Sequence, residues 1–132
     1  MSQYYEIIVF TAATMLWANT IISKIDPNGQ FIKYILHRDN CLRTKNGLVI
    51  KDLRIIDRDL KDVVIVDDLV QNFGFQIDNG IPILAYNGND EDDELRYLGK
   101  YLEKIAKIDD VRVANRNHLK LRNLLKTDIE KA

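Results

Sequence analysis

Apolar residues along these 132 positions follow two different rhythms, one of strands and one of helices. Tyr5 to Phe10 is a short run, β-branched at its centre and apolar on both faces, which suits a parallel strand covered on both sides. After Thr11-Ala12-Ala13 the rhythm changes. Met15, Ala18, Ile22 and Ile25 recur at helical spacing, and Asp26-Pro27-Asn28-Gly29 stops the helix predicted over 14–25. Phe31 to His37 and Leu48 to Ile50 read as two extended stretches around Lys45-Asn46-Gly47, whose Asn-Gly pair signals a hairpin turn.

The second half repeats the alternation. Val63-Val64-Ile65-Val66 is a β-branched strand that ends abruptly in Asp67 and Asp68. Ile81-Pro82-Ile83-Leu84 is a further short strand, with Pro82 placing it at an edge or a strand start. Residues 91–108 predict an amphipathic helix, its stripe made of Leu95, Leu98, Leu102 and Ile105. The acidic start and the lysines at 100, 104 and 107 match the helix dipole. A last helix over roughly 117–130 carries Leu121, Leu124, Leu125 and Ile129. Strands alternating with helices predict one α/β layered domain.

Composition narrows the function classes. Nineteen basic residues against twenty acidic ones give a net charge of -1, so nothing points to a nucleic-acid backbone as partner. The single cysteine, Cys41, excludes an internal disulfide and favours a reducing, intracellular setting. No apolar run approaches the ~20 residues that span a bilayer.

Three features could carry chemistry. Thr11 follows a buried strand, Asp67 and Asp68 end another, and Lys51 follows a third extended stretch. Each also has a plain structural role: Thr11 as a helix cap, the aspartates as turn formers, Lys51 as half of a solvated ion pair. Together they are a hydroxyl, a cation and carboxylates at strand ends, the groups that phosphoryl transfer requires. In open α/β sheets, ligands bind at those carboxyl ends.

The order of motifs resembles one family. Tyr-Tyr-Glu-Ile-Ile-Val-Phe-Thr-Ala-Ala (4–13), Lys-Ile-Asp-Pro (24–27), His-Arg-Asp-Asn-Cys (37–41), Ile-Lys-Asp-Leu (50–53) and Asp-Arg-Asp-Leu (57–60) form its first part. Val-Val-Ile-Val-Asp-Asp (63–68), Asp-Asn-Gly-Ile-Pro-Ile (78–83) and Asp-Asp-Val-Arg (109–112) complete it. The chain is similar over residues 1–112 to the haloacid-dehalogenase-like small CTD phosphatases, also called NLI-interacting-factor-like, with 113–132 left as a C-terminal helix. The resemblance implies a Rossmann-like parallel sheet flanked by helices, with residues 31–50 as an inserted β-element. It implies a Mg²⁺-dependent protein serine/threonine phosphatase acting on phosphopeptides such as the RNA polymerase II C-terminal domain, nuclear or cytoplasmic. Thr11 then matches the phosphoryl-binding hydroxyl, assisted by amides near Ala12. Lys51 matches the charge-offsetting lysine and Asp67 the metal-ligating acid. Arg38 lies where the family has an arginine near the peptide groove. The same fold also resembles the presequence-receptor subunit of the mitochondrial inner-membrane import translocase, a binding module.

Two departures follow from the same comparison. Asp67-Asp68-Leu69-Val70 stands where the family has Asp-Asn-Ser-Pro, so Asp68 keeps a metal-binding shape but adds charge. The family's first strand ends in Asp-x-Asp-x-Thr or Val, carrying nucleophile and general acid, and no such stretch occurs within residues 1–132. Asp57-Arg58-Asp59 has the spacing but no preceding strand, and reads as a turn or helix start. The expectation is therefore an N-terminally truncated domain, short of the strand between those ending at Phe10 and Asp67. A preceding segment or another chain is expected to complete the sheet, and these residues alone are expected to have little or no phosphatase activity.

Overall fold

The computed structural model describes residues 3–83 and 94–119. They fall into two compact units, residues 1–51 and 52–132. Leu84, the acidic stretch up to position 93 and most of the helix expected over 117–130 lie outside the described residues.

The first unit starts from β1, Ile7–Phe10, which runs parallel to β2, Ile32–Leu36. Ile8 faces Tyr34, Val9 faces Ile35 and Phe10 faces Leu36, with a bulge between Ile7 and Ile8. Between them runs α1, Met15–Ile25, capped by the Thr14 hydroxyl, which accepts from the Trp17 N–H. The buried Asp26 closes this helix. Its carboxylate accepts from the backbone N–H groups of Gln30, Phe31 and Ile32 at 3.0, 3.1 and 2.8 Å. The bond from Ile32 is the main reason its pKa is lowered, against the opposing effect of burial. Gly29, at φ +63°, takes the left-handed step that this turn needs.

Residues 31–50 do not form a single inserted β-element. Ile32–Leu36 joins β1, and the antiparallel hairpin is confined to β3, Leu42–Arg43, and β4, Val49–Ile50. The Asn46-Gly47 turn is real: Gly47 sits at φ +80°, and its N–H reaches the Thr44 carbonyl. The partner strand is Leu42–Arg43, two exposed residues with no apolar pattern to announce them. The helical stripe is likewise thinner than expected. Ala18 is buried and Ile22 half-buried, whereas Met15 and Ile25 are exposed.

The second unit is organised by β5, Ile65–Asp67, parallel to β6, Gly80–Pro82. Successive side chains of a strand point to opposite faces, and the residues leading into and along β5 obey this. Val63 and Ile65 pack with Leu53, Phe73 and Ile77. Val64 and Val66 pack against the cluster of Ile81, Ile105, Val111 and Ala114. The first cluster belongs to short 3₁₀ turns at Leu53–Ile56, Leu60–Asp62 and Val70–Asn79. The second comes from β6 with α2, Glu94–Ile105, and α3, Val111–Leu119. Leu98, Leu102 and Ile105 of the expected stripe are used here, joined by Tyr101, while Leu95 is 73% exposed.

Gly80 is a packing requirement. A Cβ there would collide with the ring of Phe73, the fully buried centre of the first cluster. Buried polar groups tie the same region together. Asn79 donates to the carbonyls of Leu60 and Val63, and Asn115 donates to the carbonyl of Asp78. Tyr101 donates to Asn115, and Arg116 to the Asp78 carboxylate. The Asp78-Asn79-Gly80 motif is thus the internal brace of this unit. Asp57-Arg58-Asp59 is a turn, as its sequence suggests: Asp57 ends one 3₁₀ turn in the left-handed region, and Asp59 caps the next.

Among the described residues the strands form three two-stranded pairs, not one sheet. β1 pairs only with β2 and β5 only with β6, so each parallel pair has a second edge without a strand. The four residues of β1 are half-buried, short of the two-sided cover their composition suits.

Two outcomes follow for the second unit. Asn79→Ala removes two hydrogen bonds, one of them to the buried Val63 carbonyl while the Leu60 carbonyl keeps its bond from the Val63 N–H, and is expected to cost about 2 kcal/mol, read as a shift of the urea midpoint at constant slope. Asp52, at the start of the Leu53–Ile56 turn, is held down to a pKa of about 2, first by its hydrogen bonds from Arg54. Its folded pKa lies below the unfolded value of ~3.9, so its contribution is full above that pH and fades as pH falls toward 2. Arg54 is largely exposed, so the contribution is about 1 kcal/mol. Asp52→Asn should flatten the acid limb of the stability profile between pH 5 and 2, measured by denaturant titration at each pH.

Candidate functional site

Thr11 leaves the end of β1, and its backbone N–H still donates to Leu36 at 2.9 Å. Its hydroxyl oxygen accepts from the Ala13 N–H at 3.1 Å, which leaves the hydroxyl proton to be donated elsewhere. The loop carbonyls face the turn that follows β2. Ala12 accepts from Arg38 Nε at 3.1 Å and Ala13 from the Arg38 N–H at 2.9 Å, while Cys41 Sγ lies 3.7 Å from the Thr11 carbonyl. Three of the predicted positions, Thr11, Ala12 and Arg38, are therefore one cluster in the first unit. Cys41 is a fourth member that sequence reasoning did not assign to the site. Burial raises its thiol pKa against the lowering effect of Lys51 and Arg43, so it is a poor nucleophile.

Lys51 follows β4 directly and is half-buried. The next two residues are held firmly. Asp52 accepts from Gln76 Nε2 at 2.8 Å, and Gln76 Oε1 accepts from the Leu53 N–H at 2.9 Å. Gln76 is a second residue that sequence alone did not single out, because its partners are 23 and 24 positions away.

Asp67 is the last residue of β5 and only 7% exposed. Oδ1 accepts from the Leu69 N–H at 3.1 Å, and Asn72 Nδ2 spans both oxygens at 3.4 and 3.2 Å. Asn72 was also unassigned from sequence, and it orients this carboxylate. Asp68 is exposed beside it. A hard cation such as Mg²⁺ takes six oxygens, usually one or two carboxylates with waters and phosphate. Asp67 and Asp68 are of the right type, but no group of three or more His, Cys, Asp or Glu that could hold a metal lies among the described residues. The donor set fits Mg²⁺ as a partial one.

An open cleft of about 500 Å³ between α1 and β2 is lined by Met15, Asn19, Ile22, Tyr34 and Ile35 and holds none of these positions. No helix among the described residues is long and apolar enough to cross a membrane.

Comparison with known proteins gives these positions a context. A family model described as NLI interacting factor-like phosphatase matches residues 1–112. CTD small phosphatase-like protein 2 of Dictyostelium discoideum is 44% identical over 125 residues, covering 95% of this chain and 22% of the relative. CTD small phosphatase-like protein 3 of Caenorhabditis elegans is 38% identical, covering 93% of this chain and 43% of its own length. The mitochondrial import inner membrane translocase subunit TIM50 of Candida glabrata is 40% identical over 114 residues, covering 85% and 23%. The chain thus spans less than half the length of these relatives. Among solved structures, the fission yeast RNA polymerase II CTD phosphatase Fcp1 bound to beryllium fluoride superposes with a TM-score of 0.53 at 21% identity, over 96% of this chain and 38% of that one. That likeness gives the fold, haloacid-dehalogenase-like α/β, and the family model with its relatives gives the lineage: the chain belongs to the NLI interacting factor-like phosphatases.

Proposed function

We propose that residues 1–132 are the phosphate-binding and metal-ligating part of a protein serine/threonine phosphatase domain that acts on phosphorylated peptides. The observation that carries this reading is positional. Thr11 follows β1, Lys51 follows β4 and Asp67 ends β5, so a hydroxyl, a cation and a buried carboxylate each sit at a strand's C-terminal end. In this reading the Thr11 hydroxyl and the Ala12 amide hold phosphoryl oxygens. Lys51 offsets their charge, and the terminal nitrogens of Arg38 face the peptide carrying the phosphate. Asp67, with Asp68, would hold the family's Mg²⁺, which supplies charge neutralisation at the phosphoryl group. The nucleophilic carboxylate must come from a strand ending in Asp-x-Asp-x-Thr or Val, and no such stretch occurs in these residues.

The likeness to TIM50 supports a second reading, a non-catalytic binding module. A receptor for basic presequences has no need of a phosphate-binding threonine or its lysine. The presence of Thr11, Lys51 and Asp67 therefore favours the phosphatase.

Calorimetric titration of the 132-residue chain with a serine-phosphorylated heptad-repeat peptide tests the choice. With Mg²⁺ present, the phosphopeptide should bind at least ~10-fold more tightly than its unphosphorylated form, and Lys51→Ala should remove most of that difference. Equal affinity for both forms, with tighter binding of a basic amphipathic presequence peptide, would transfer the chain to the receptor class. The same chain should give no magnesium-dependent turnover of p-nitrophenyl phosphate. Turnover abolished by Asp67→Asn would show that a nucleophile is present after all.

A further inference from the structure

Arg38 is an exposed arginine near a phosphate-binding loop, and the obvious role is direct attraction of the anion. Its hydrogen bonds describe a different one. Nε donates to the Ala12 carbonyl at 3.1 Å, and the backbone N–H of the same residue donates to the Ala13 carbonyl at 2.9 Å. The peptides of the described residues are trans, and in a trans peptide the N–H points opposite to the C=O. Fixing the Ala12 carbonyl therefore fixes the direction of the Ala13 N–H. That N–H donates to the Thr11 hydroxyl oxygen at 3.1 Å. With one lone pair of this oxygen taken by the Ala13 N–H, the hydroxyl proton is left to donate in one of the remaining directions. The chain of contacts is continuous, from Arg38 Nε through the Ala12–Ala13 peptide to Thr11.

We propose that Arg38 is a positioning residue, whose Nε–H orients the Thr11 hydroxyl toward a phosphoryl oxygen through the Ala12–Ala13 peptide. The inference rests on Thr11 binding phosphate. It specifies what position 38 must supply, which is a donor at the Nε location and not simply a positive charge. Hydrogen bonds in such a chain polarise one another, so the first bond also strengthens the last.

Two substitutions separate donor from charge. Arg38→Gln places an amide nitrogen at the same bond count from Cα as Arg Nε, and removes the charge. Arg38→Lys keeps the charge and places a methylene at that position. The ¹⁵N-labelled 132-residue chain and both variants are compared by amide hydrogen exchange without ligand, then by titration with inorganic phosphate without divalent metal. Loss of one such bond should raise Ala13 amide exchange roughly fivefold in Arg38→Lys, with Arg38→Gln near the parent chain. Phosphate affinity should follow the same order, with Gln above Lys. Exchange unchanged in both variants, or phosphate affinity kept by Lys and lost by Gln, would overturn the proposal. If phosphate shifts no resonance at Thr11, Ala12 or Ala13 in the parent chain, the phosphate reading of this loop fails. The ligand-free exchange comparison would still decide whether Arg38 orients the loop.

Discussion

A parallel strand that is apolar on both faces needs cover on both faces and protection of any open edge, and this constraint governs the structure more than any single contact. An open edge presents a row of unpaired backbone groups beside apolar side chains, a combination that proteins normally cover or charge. Among the described residues both parallel pairs have such an edge; β1 carries none of the charged or proline residues that blunt natural edges, and β5 carries only Asp67 at its end. The two strands differ in how well their faces are covered. β5 has 3₁₀ turns packed on one face and α2 with α3 on the other. β1 is half-buried along its length, and α1 beside it leaves Leu16 and Trp17 largely exposed. Residues written for an interior strand are thus only partly in an interior.

Edge pairing also explains which parts of the fold were legible in the sequence. Local signals survived: the strand at Ile7–Phe10, the helix from Met15 stopped at Asp26, the Asn46-Gly47 turn and the strand running into Asp67. Each is fixed by side-chain period or turn chemistry within a few residues. Pairing partners were harder to read. Ile32–Leu36 has an extended pattern that fits a hairpin arm as well as a parallel neighbour, and only the register with Ile8 to Phe10 decides between them. The 3₁₀ run over Val70–Asn79 has no clean period, since Phe73 and Gln76 depart from helical geometry within it. Leu95 fits the helical stripe but is exposed, because the stripe is buried only where β5 and β6 reach it.

The candidate site shows the same division. Thr11, Lys51 and Asp67 were legible because strand ends and carboxylates are marked by abrupt changes of residue type. Asn72, Gln76 and Cys41, which hold those residues or their neighbours in place, were not legible. An amide or thiol becomes a partner only through tertiary placement, and nothing in its own neighbourhood reports it. Several other aspartates serve their own neighbourhood. Asp26, Asp52, Asp59 and Asp110 each accept from backbone N–H groups two to six residues on. Asp67 accepts locally too, but it is buried at a strand end with Asn72 across both oxygens, and that combination distinguishes it from a capping residue.

The electrostatics of a phosphate site are usually told as a sum of cations, but peptide dipoles are equally important where a loop is tightly held. In the Thr11–Ala13 loop every carbonyl faces the His37–Cys41 turn, so the Ala12 N–H must face away from it. In the proposed phosphate site that orientation would cost nothing at the moment an anion arrives, because the turn has already fixed it. A lysine or arginine in solvent must instead be desolvated and ordered each time, which reduces its net contribution. The sequence His-Arg-Asp-Asn-Cys therefore serves this loop best as a scaffold for dipoles. The exposed charge of Arg38 is what the side chain has left over after its Nε has been used.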